Sequence, residues 1–274
     1  MKQDVTQTVC LTIAGLDPSG GAGIIADIKT FSAFGCFAAA AVASVTFQNT
    51  TGVFGAVHQA ADSVRKQIEP VLDDYVVAAV KTGMLPTREV IETVAAIIAE
   101  RNLTNIVVDP VVRSTSGFDL IDDFALDALI EKLFPLADLI TPNIPEAARI
   151  AKMLINSPQD IQKAAAIIHE MGARNVLIKG GHAVNAECGM RNAESSIAKA
   201  NEYLFIGNDL TIFEGEFIET TATHGTGCTL AAAIAANLAL GKTLTVAVKI
   251  AKDFVTEAIR TAPHLGKGNS PINI

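Results

Sequence analysis

Short aliphatic runs alternate with helix-forming stretches along almost the whole chain, and nothing else in the sequence constrains the fold as strongly. The runs at 9–14, 37–47, 76–80, 106–108, 139–140 and 176–178 read as strands. Helical patterns occupy 21–34, 88–101, the stretch opened by Ser157-Pro158-Gln159-Asp160 and reaching Met171, 226–240 and 244–261. Thr87 stands where the second of these needs a capping hydroxyl, and Ser157 with Pro158 supplies a cap and a first-turn proline. Gly172 and Gly241 supply stops. Such alternation predicts a mostly parallel, doubly wound sheet with right-handed crossovers and helices on both faces. The runs 203–206, 210–213 and 216–218 read as short edge strands or hairpins, and 183–201, without apolar periodicity, as a surface excursion. No linker, repeat or low-complexity tract divides residues 1–274, so the expectation is a single α/β domain.

Composition agrees with a sheet buried on both sides. Half of the residues are hydrophobic, chiefly Ala, Val and Ile, while aromatics make up only 5%. A charged fraction of 18% excludes disorder, and a net charge of −8 argues against a nucleic-acid partner or an anionic membrane surface. It leaves room for an anionic ligand, which a few backbone N–H groups and one lysine can hold. Cys10, Cys36, Cys188 and Cys228 are scattered without a Cys-x-x-Cys pair, as reduced thiols of a cytoplasmic protein would be. No apolar run is long enough to span a membrane, and residues 1–7 are too polar for a signal segment.

Ligands of open α/β sheets bind at the carboxyl ends of the strands. Polar residues stand at four such ends: Lys81-Thr82-Gly83-Met84, Asp109, Asn143 with Glu146, and Lys179-Gly180-Gly181-His182. The most informative segment is His224-Gly225-Thr226-Gly227-Cys228-Thr229, which runs straight into an alanine-rich helix. Bare N–H groups and the helix dipole favour an anion there, where phosphoryl transfer needs help with developing charge. The same field is expected to lower the Cys228 thiol pKa and make it a base or reactive group. A buried structural cysteine behind a helix-start turn is the other reading, and these residues alone do not separate the two. The loop Asp17-Pro18-Ser19-Gly20-Gly21-Ala22-Gly23 has neither dinucleotide-loop nor P-loop spacing. It either wraps a small substrate or simply connects a strand to a helix. Asp109 and Glu146 are placed to supply carboxylates to Mg²⁺, although each alone also reads as a cap or a surface charge. The five histidines show no metal-ligand spacing.

Taken together, these segments resemble the hydroxymethylpyrimidine/phosphomethylpyrimidine kinases of thiamin biosynthesis, within the ribokinase-like superfamily. The likeness runs from Thr12-Ile13-Ala14-Gly15-Leu16-Asp17-Pro18-Ser19-Gly20-Gly21-Ala22-Gly23 through Asp27-Ile28-Lys29-Thr30-Phe31, Gln48-Asn49-Thr50, Lys81-Thr82-Gly83-Met84-Leu85 and Asp109-Pro110-Val111. It continues through Thr141-Pro142-Asn143-Ile144-Pro145-Glu146-Ala147, Lys179-Gly180-Gly181-His182 and the 224–230 segment to Leu265-Gly266-Lys267-Gly268. It departs at Val112-Arg113-Ser114-Thr115 and at Asn269-Ser270-Pro271.

The resemblance implies a ribokinase-like three-layer sandwich that phosphorylates 4-amino-5-hydroxymethyl-2-methylpyrimidine, and then its monophosphate, with ATP and Mg²⁺. It implies Cys228 as the base and Gly225, Thr226 and Gly227 as the anion hole. Gln48, Asp17 or its loop, Gly15, Met84 and Val111 would line the pyrimidine pocket. Lys179, Asp109 and Thr223 would lie at the ATP phosphates, and Asn143, Glu146 and Asp109 at the metal. It further implies a homodimer. A pyridoxine or pyridoxal kinase of the same superfamily, or dual specificity, is the nearest alternative, with Gln48 as the discriminating residue. A non-catalytic binding protein would have shed Cys228, Asn143 or Glu146, and all three are present. A dinucleotide oxidoreductase fails on the spacing of the 17–23 loop.

Overall fold

Strands come first, because they set where everything else lies. Among the residues this computed structural model describes (7–112, 120–180 and 200–274), nine strands join in one sheet. They are β1 (Val9–Leu16), β2 (Phe37–Asn49), β3 (Gly52–His58), β4 (Val77–Thr82), β5 (Ile106–Val108), β6 (Leu139–Ile140), β7 (Asn175–Lys179), β8 (Glu202–Ile206) and β9 (Asp209–Phe213). Their spatial order is β3-β2-β1-β4-β5-β6-β7-β8-β9. The six from β2 to β7 in that order are parallel, β3 at one edge and β8 near the other run against them, and β9, antiparallel to β8, runs with the six again. Eight α-helices complete the described chain: α1 (Gly23–Ala33), α2 (Ala61–Asp74), α3 (Arg88–Glu100), α4 (Asp123–Ala128), α5 (Ile144–Ala151), α6 (Pro158–Glu170), α7 (Thr226–Ala239) and α8 (Leu244–Arg260).

Successive side chains of a strand point to opposite faces, and here each face finds its own helices. Cys10, Val107 and Leu177 pack with Phe31 of α1, Ala231 and Ile234 of α7 and Val248 of α8. Their strand neighbours Leu11, Ile106, Val108, Val176 and Ile178 pack with Val64 and Ile68 of α2, Val94 of α3, Ile150 of α5 and Ile161 of α6. The result is the expected three-layer α/β sandwich. Each fully buried Val, Leu or Ile in these two cores stabilises the fold by roughly 1.5–3 kcal/mol. Local signals agree with the layers. Thr87 accepts a hydrogen bond from Val90 N at 3.3 Å, and Ser157 one from Asp160 N at 3.2 Å. Gly172 takes φ +107°, which a β-carbon would disfavour.

Two expectations change. Residues 216–218 belong to no strand; Glu216, Phe217 and Ile218 line the central cleft instead, so the apolar Phe217 and Ile218 serve that wall and not a sheet edge. The excursion expected at 183–201 lies outside the described residues except at its end. There Asn201 is buried and accepts from Gly215 N at 3.2 Å, so that end packs inward. Gly181, His182, Arg113, Ser114, Thr115 and Cys188 also lie outside the described residues.

Candidate active site

The carboxyl ends of the parallel strands open into a cleft of about 830 Å³. All fourteen residues singled out in the sequence line it: Gly15, Asp17, Gln48, Met84, Asp109, Val111, Asn143, Glu146, Lys179, Thr223, Gly225, Thr226, Gly227 and Cys228. They arrive from β1, β2, the loops after β4, β5 and β6, the end of β7, and the first turn of α7.

The loop between β1 and α1 is organised around one carboxylate. Asp17 Oδ1 accepts from Ser19 N at 2.8 Å and from Ser19 Oγ at 2.7 Å. Its Oδ2 accepts from Ala22 N at 2.9 Å, Gly21 N at 3.2 Å and His224 Nε2 at 2.7 Å. Burial pushes this carboxyl up, but the donors of His224 and Ser19 outweigh it and hold Asp17 down at about 2. The Asp17 side chain is therefore committed to the loop, and what the loop offers the cleft is its backbone. At Gly23 the chain turns with φ +56° so close to β1 that a β-carbon would lie 2.2 Å from Gly15 O.

Helix α7 starts against this loop. Gly225, its cap, has φ +90°, and a β-carbon there would lie 1.8 Å from Gly21 O. Thr223 O receives Thr226 Oγ1 at 3.0 Å and so closes the turn. The first N–H groups of a helix have no partner within it, an arrangement that favours an anion at the 225–228 turn. On the far side of the turn stands Lys179: a β-carbon on Gly227 would lie 3.1 Å from its Nζ. Lys179 Nζ donates to Asp109 Oδ1 at 2.7 Å, which also receives Thr141 Oγ1 at 3.1 Å. Burial alone would pull the Lys179 ammonium down; the Asp109 and Glu146 carboxylates more than reverse it, so it titrates above an ordinary lysine.

Asn143 and Glu146 form a reciprocal capping box at the start of α5. Glu146 N donates to Asn143 Oδ1 at 2.8 Å, and Asn143 N to Glu146 Oε2 at 2.9 Å. Glu146 Oε1 accepts from Val112 N at 3.2 Å. Burial raises this carboxyl to about 7, opposed by the Lys179 charge. The Asn-x-x-Glu spacing thus has a structural purpose before any functional one. Among the described residues no group of three His, Cys, Asp or Glu side chains forms a metal cage. Asp109 and Glu146 nevertheless present hard oxygen donors near Lys179 and the 225–228 turn. That set fits Mg²⁺, which takes one or two carboxylates and completes its shell with phosphate oxygens and water.

Cys228 behaves differently from the sequence expectation. Its thiol is pushed up to about 11, because burial outweighs the Lys81 charge and the Gly23 N–H that favour the thiolate; Asp109 and Asp27 add to the rise. The helix-start field does not win against desolvation. The sequence marks Lys81 as a polar residue at a strand end but not its pairing with Asp27 beneath the thiol. Lys81 is wholly buried and donates to Asp27 Oδ2 at 2.9 Å, an oxygen shared with Thr12 Oγ1 at 2.6 Å. The readable signal was a lysine inside the otherwise small and aliphatic β4. His224 was likewise quoted only as part of a motif, although it lines the cleft and holds Asp17.

Comparison with known proteins gives this cleft its context. The family profile described as phosphomethylpyrimidine kinase matches residues 17–273. A hydroxymethylpyrimidine/phosphomethylpyrimidine kinase of Haemophilus influenzae is 43% identical over 263 residues, covering 96% of this chain and 95% of that protein. The crystal structure of phosphomethylpyrimidine kinase from Clostridium difficile 630 superposes with a TM-score of 0.79 at 39% identity, over 92% of this chain and 100% of that one. An ADP complex of Bacillus subtilis pyridoxal kinase superposes with a TM-score of 0.85 at 36% identity, over 98% and 97% of the two chains. A profile match running from the Asp17 loop to the segment that follows α8, joined to relatives of this identity, means that the chain belongs to the phosphomethylpyrimidine kinase family.

Proposed function

We propose that the protein transfers the γ-phosphoryl group of ATP to the hydroxymethyl oxygen of 4-amino-5-hydroxymethyl-2-methylpyrimidine, and then phosphorylates that product to the diphosphate, in thiamin biosynthesis. The observation that carries this reading is the meeting of the 225–228 turn, Lys179 and Asp109 at one end of a cleft whose other walls are Gln48, Met84 and Val111. In this reading the Gln48 amide pairs with the aminopyrimidine edge, while Gly15, Met84, Val111 and the Asp17 loop enclose the ring.

The 225–228 amides and the Lys179 ammonium take up the negative charge of the moving phosphoryl group, with Thr223 shaping the turn. The transition state is loose, so the acceptor hydroxyl keeps its proton until late and no preformed thiolate is required. The hydroxyl proton passes to Cys228 Sγ as the thiol's own proton passes to an oxygen of the transferred group. The new oxygen–phosphorus bond forms on the acceptor as the β–γ bridging bond breaks. Mg²⁺, which Asp109 and Glu146 would hold with Asn143 fixing Glu146 at the start of α5, would neutralise charge on the nucleotide phosphates.

No helix of the described residues is long and apolar enough to cross a membrane. We place the enzyme in the cytoplasm and read it as a homodimer, as the family resemblance implies. A second reading, phosphorylation of pyridoxal in the same cleft, is favoured by the likeness to pyridoxal kinase. Release of ADP from Mg·ATP with each alcohol, the products identified by mass spectrometry, separates the two. Mono- and diphosphorylated pyrimidine support the first reading, phosphorylated pyridoxal alone moves the substrate to the second, and no phosphorylated product from either overturns both.

A further inference from the structure

Two turns that face the cleft interlock through one histidine. The ionised Asp17 carboxylate can only accept, so His224 Nε2, 2.7 Å from Oδ2, carries the proton of that bond. The packing around it leaves no slack. A β-carbon on Gly21 would lie 2.3 Å from His224 Cδ2, and one on Gly225 would lie 1.8 Å from Gly21 O. Behind the ring, the segment after α8 locks the His224 backbone. His224 N donates to Ser270 O at 3.2 Å, and Ile272 N donates to His224 O at 3.4 Å. The same segment reaches the turn after Gln48, where Asn269 N donates to Thr50 O at 2.8 Å and Lys267 N to Thr50 Oγ1 at 3.2 Å.

We infer that His224 is a positioning residue: clasped to Asp17 and backed by residues 267–272, it fixes the distance between the 17–23 loop and the 225–228 turn. The inference rests on the proposed roles of those two elements, one around the alcohol and the other around the moving phosphoryl group. Holding two reactants in register is worth orders of magnitude in rate, and a displacement of about 1 Å can cost about 100-fold. Loss of the clasp therefore acts on the encounter of the bound reactants more than on the binding of either. It also lets water compete with the alcohol for the phosphoryl group.

The test compares His224→Leu, which removes the donor, with His224→Gln, whose amide nitrogen reaches as far as Nε2. His224→Asn, polar but too short to reach Asp17, replaces the leucine variant if that one does not fold. Each is assayed with pyrimidine alcohol for kcat, for KM of both substrates, and for the ratio of ATP hydrolysed to alcohol phosphorylated. His224→Leu is expected to lose about 10- to 100-fold in kcat with KM for ATP within about threefold, and to waste more ATP per product; His224→Gln recovers most of both. Unchanged kcat and coupling in His224→Leu overturn the inference. So does an equal loss in all variants with the coupling ratio unchanged and melting lowered, which is the signature of a purely structural role. Amide exchange of the wild type with and without the alcohol tells the two layers apart. No protection across 17–23 overturns the loop's assignment and the inference with it. Protection there, together with an unaffected His224→Leu, overturns the inference alone.

Discussion

Replacing Lys179 by Met should lower both stability and turnover, through causes that a second substitution can separate. Lys179 Nζ lies 2.7 Å from Asp109 Oδ1, and the two residues are 8% and 2% exposed. At an effective dielectric of about 20 the direct attraction over that distance is about 6 kcal/mol, most of it offset by the desolvation of both charges. Removing only the ammonium leaves Asp109 buried with Thr141 Oγ1 as a neutral donor. The cost of such an orphaned charge is about 3–5 kcal/mol, or roughly 6–20 °C in melting temperature for a chain of this size. Turnover should fall about 100- to 1,000-fold, the loss typical of one charge-stabilising donor. In Lys179→Met/Asp109→Asn the Asp109 charge is gone and Glu146, already raised to about 7, takes up a proton at little cost, so melting should recover most of the way while turnover does not. Thermal denaturation and an ADP-release assay on the three proteins decide the matter. A single variant melting within about 2 °C of wild type, or a double variant melting no higher than the single, would mean that Asp109 is not stranded by the loss of Lys179.

Three further outcomes are expected. With its thiol at about 11, Cys228 should be alkylated by iodoacetamide about tenfold faster per pH step of one between 7 and 10, read on its own peptide by mass spectrometry; a plateau near pH 8 would contradict the burial argument. Burial raises Glu202 from 4.5 to about 7, so the folded protein holds an extra proton between those values and loses stability as pH rises through them, by about 3 kcal/mol. Glu202→Gln should flatten that part of the pH profile in chemical denaturation, and equal slopes in the two proteins would show that Glu202 is not the source. Gln48→Leu should shift the ratio of kcat/KM toward pyridoxal and away from the aminopyrimidine by about 10- to 100-fold; an unchanged ratio removes Gln48 from recognition.

The sheet was legible because its strands are pure. Ile106-Val107-Val108 and Leu139-Ile140 are too short and too apolar to be anything but buried strands, and they appear at those positions. Strand β3 and helix α2 escaped notice for physical reasons. β3 sits at an edge with two glycines and mostly partial burial, and α2 buries only Val64 and Ile68 completely. The polar ends of the parallel strands pointed to one cleft because topology alone gathers them there. The sequence could not show what each side chain does once gathered. Asp17 looks like any loop carboxylate until five donors are found around it. Cys228 looks activated by its helix until the desolvation of its thiol and the nearby Asp109 and Asp27 carboxylates are weighed. Lys81 and Asp27 lie 54 residues apart, and only the pairing of β4 beside β1 brings them together.

Helix α7 is buried over every residue from Thr229 to Asn237, with six consecutive positions filled by Ala or Ile. Small side chains let it lie close between the sheet, α1 and α8, so it has no free face on which to give way. It behaves as a rigid rod whose far end sets the height of its near end. A larger side chain at Ala235 or Ala236 would therefore be felt at Gly225, about three turns away. Engineering that fills the core along this helix for thermal tolerance would detune the reaction from a distance, without altering one residue that faces the cleft.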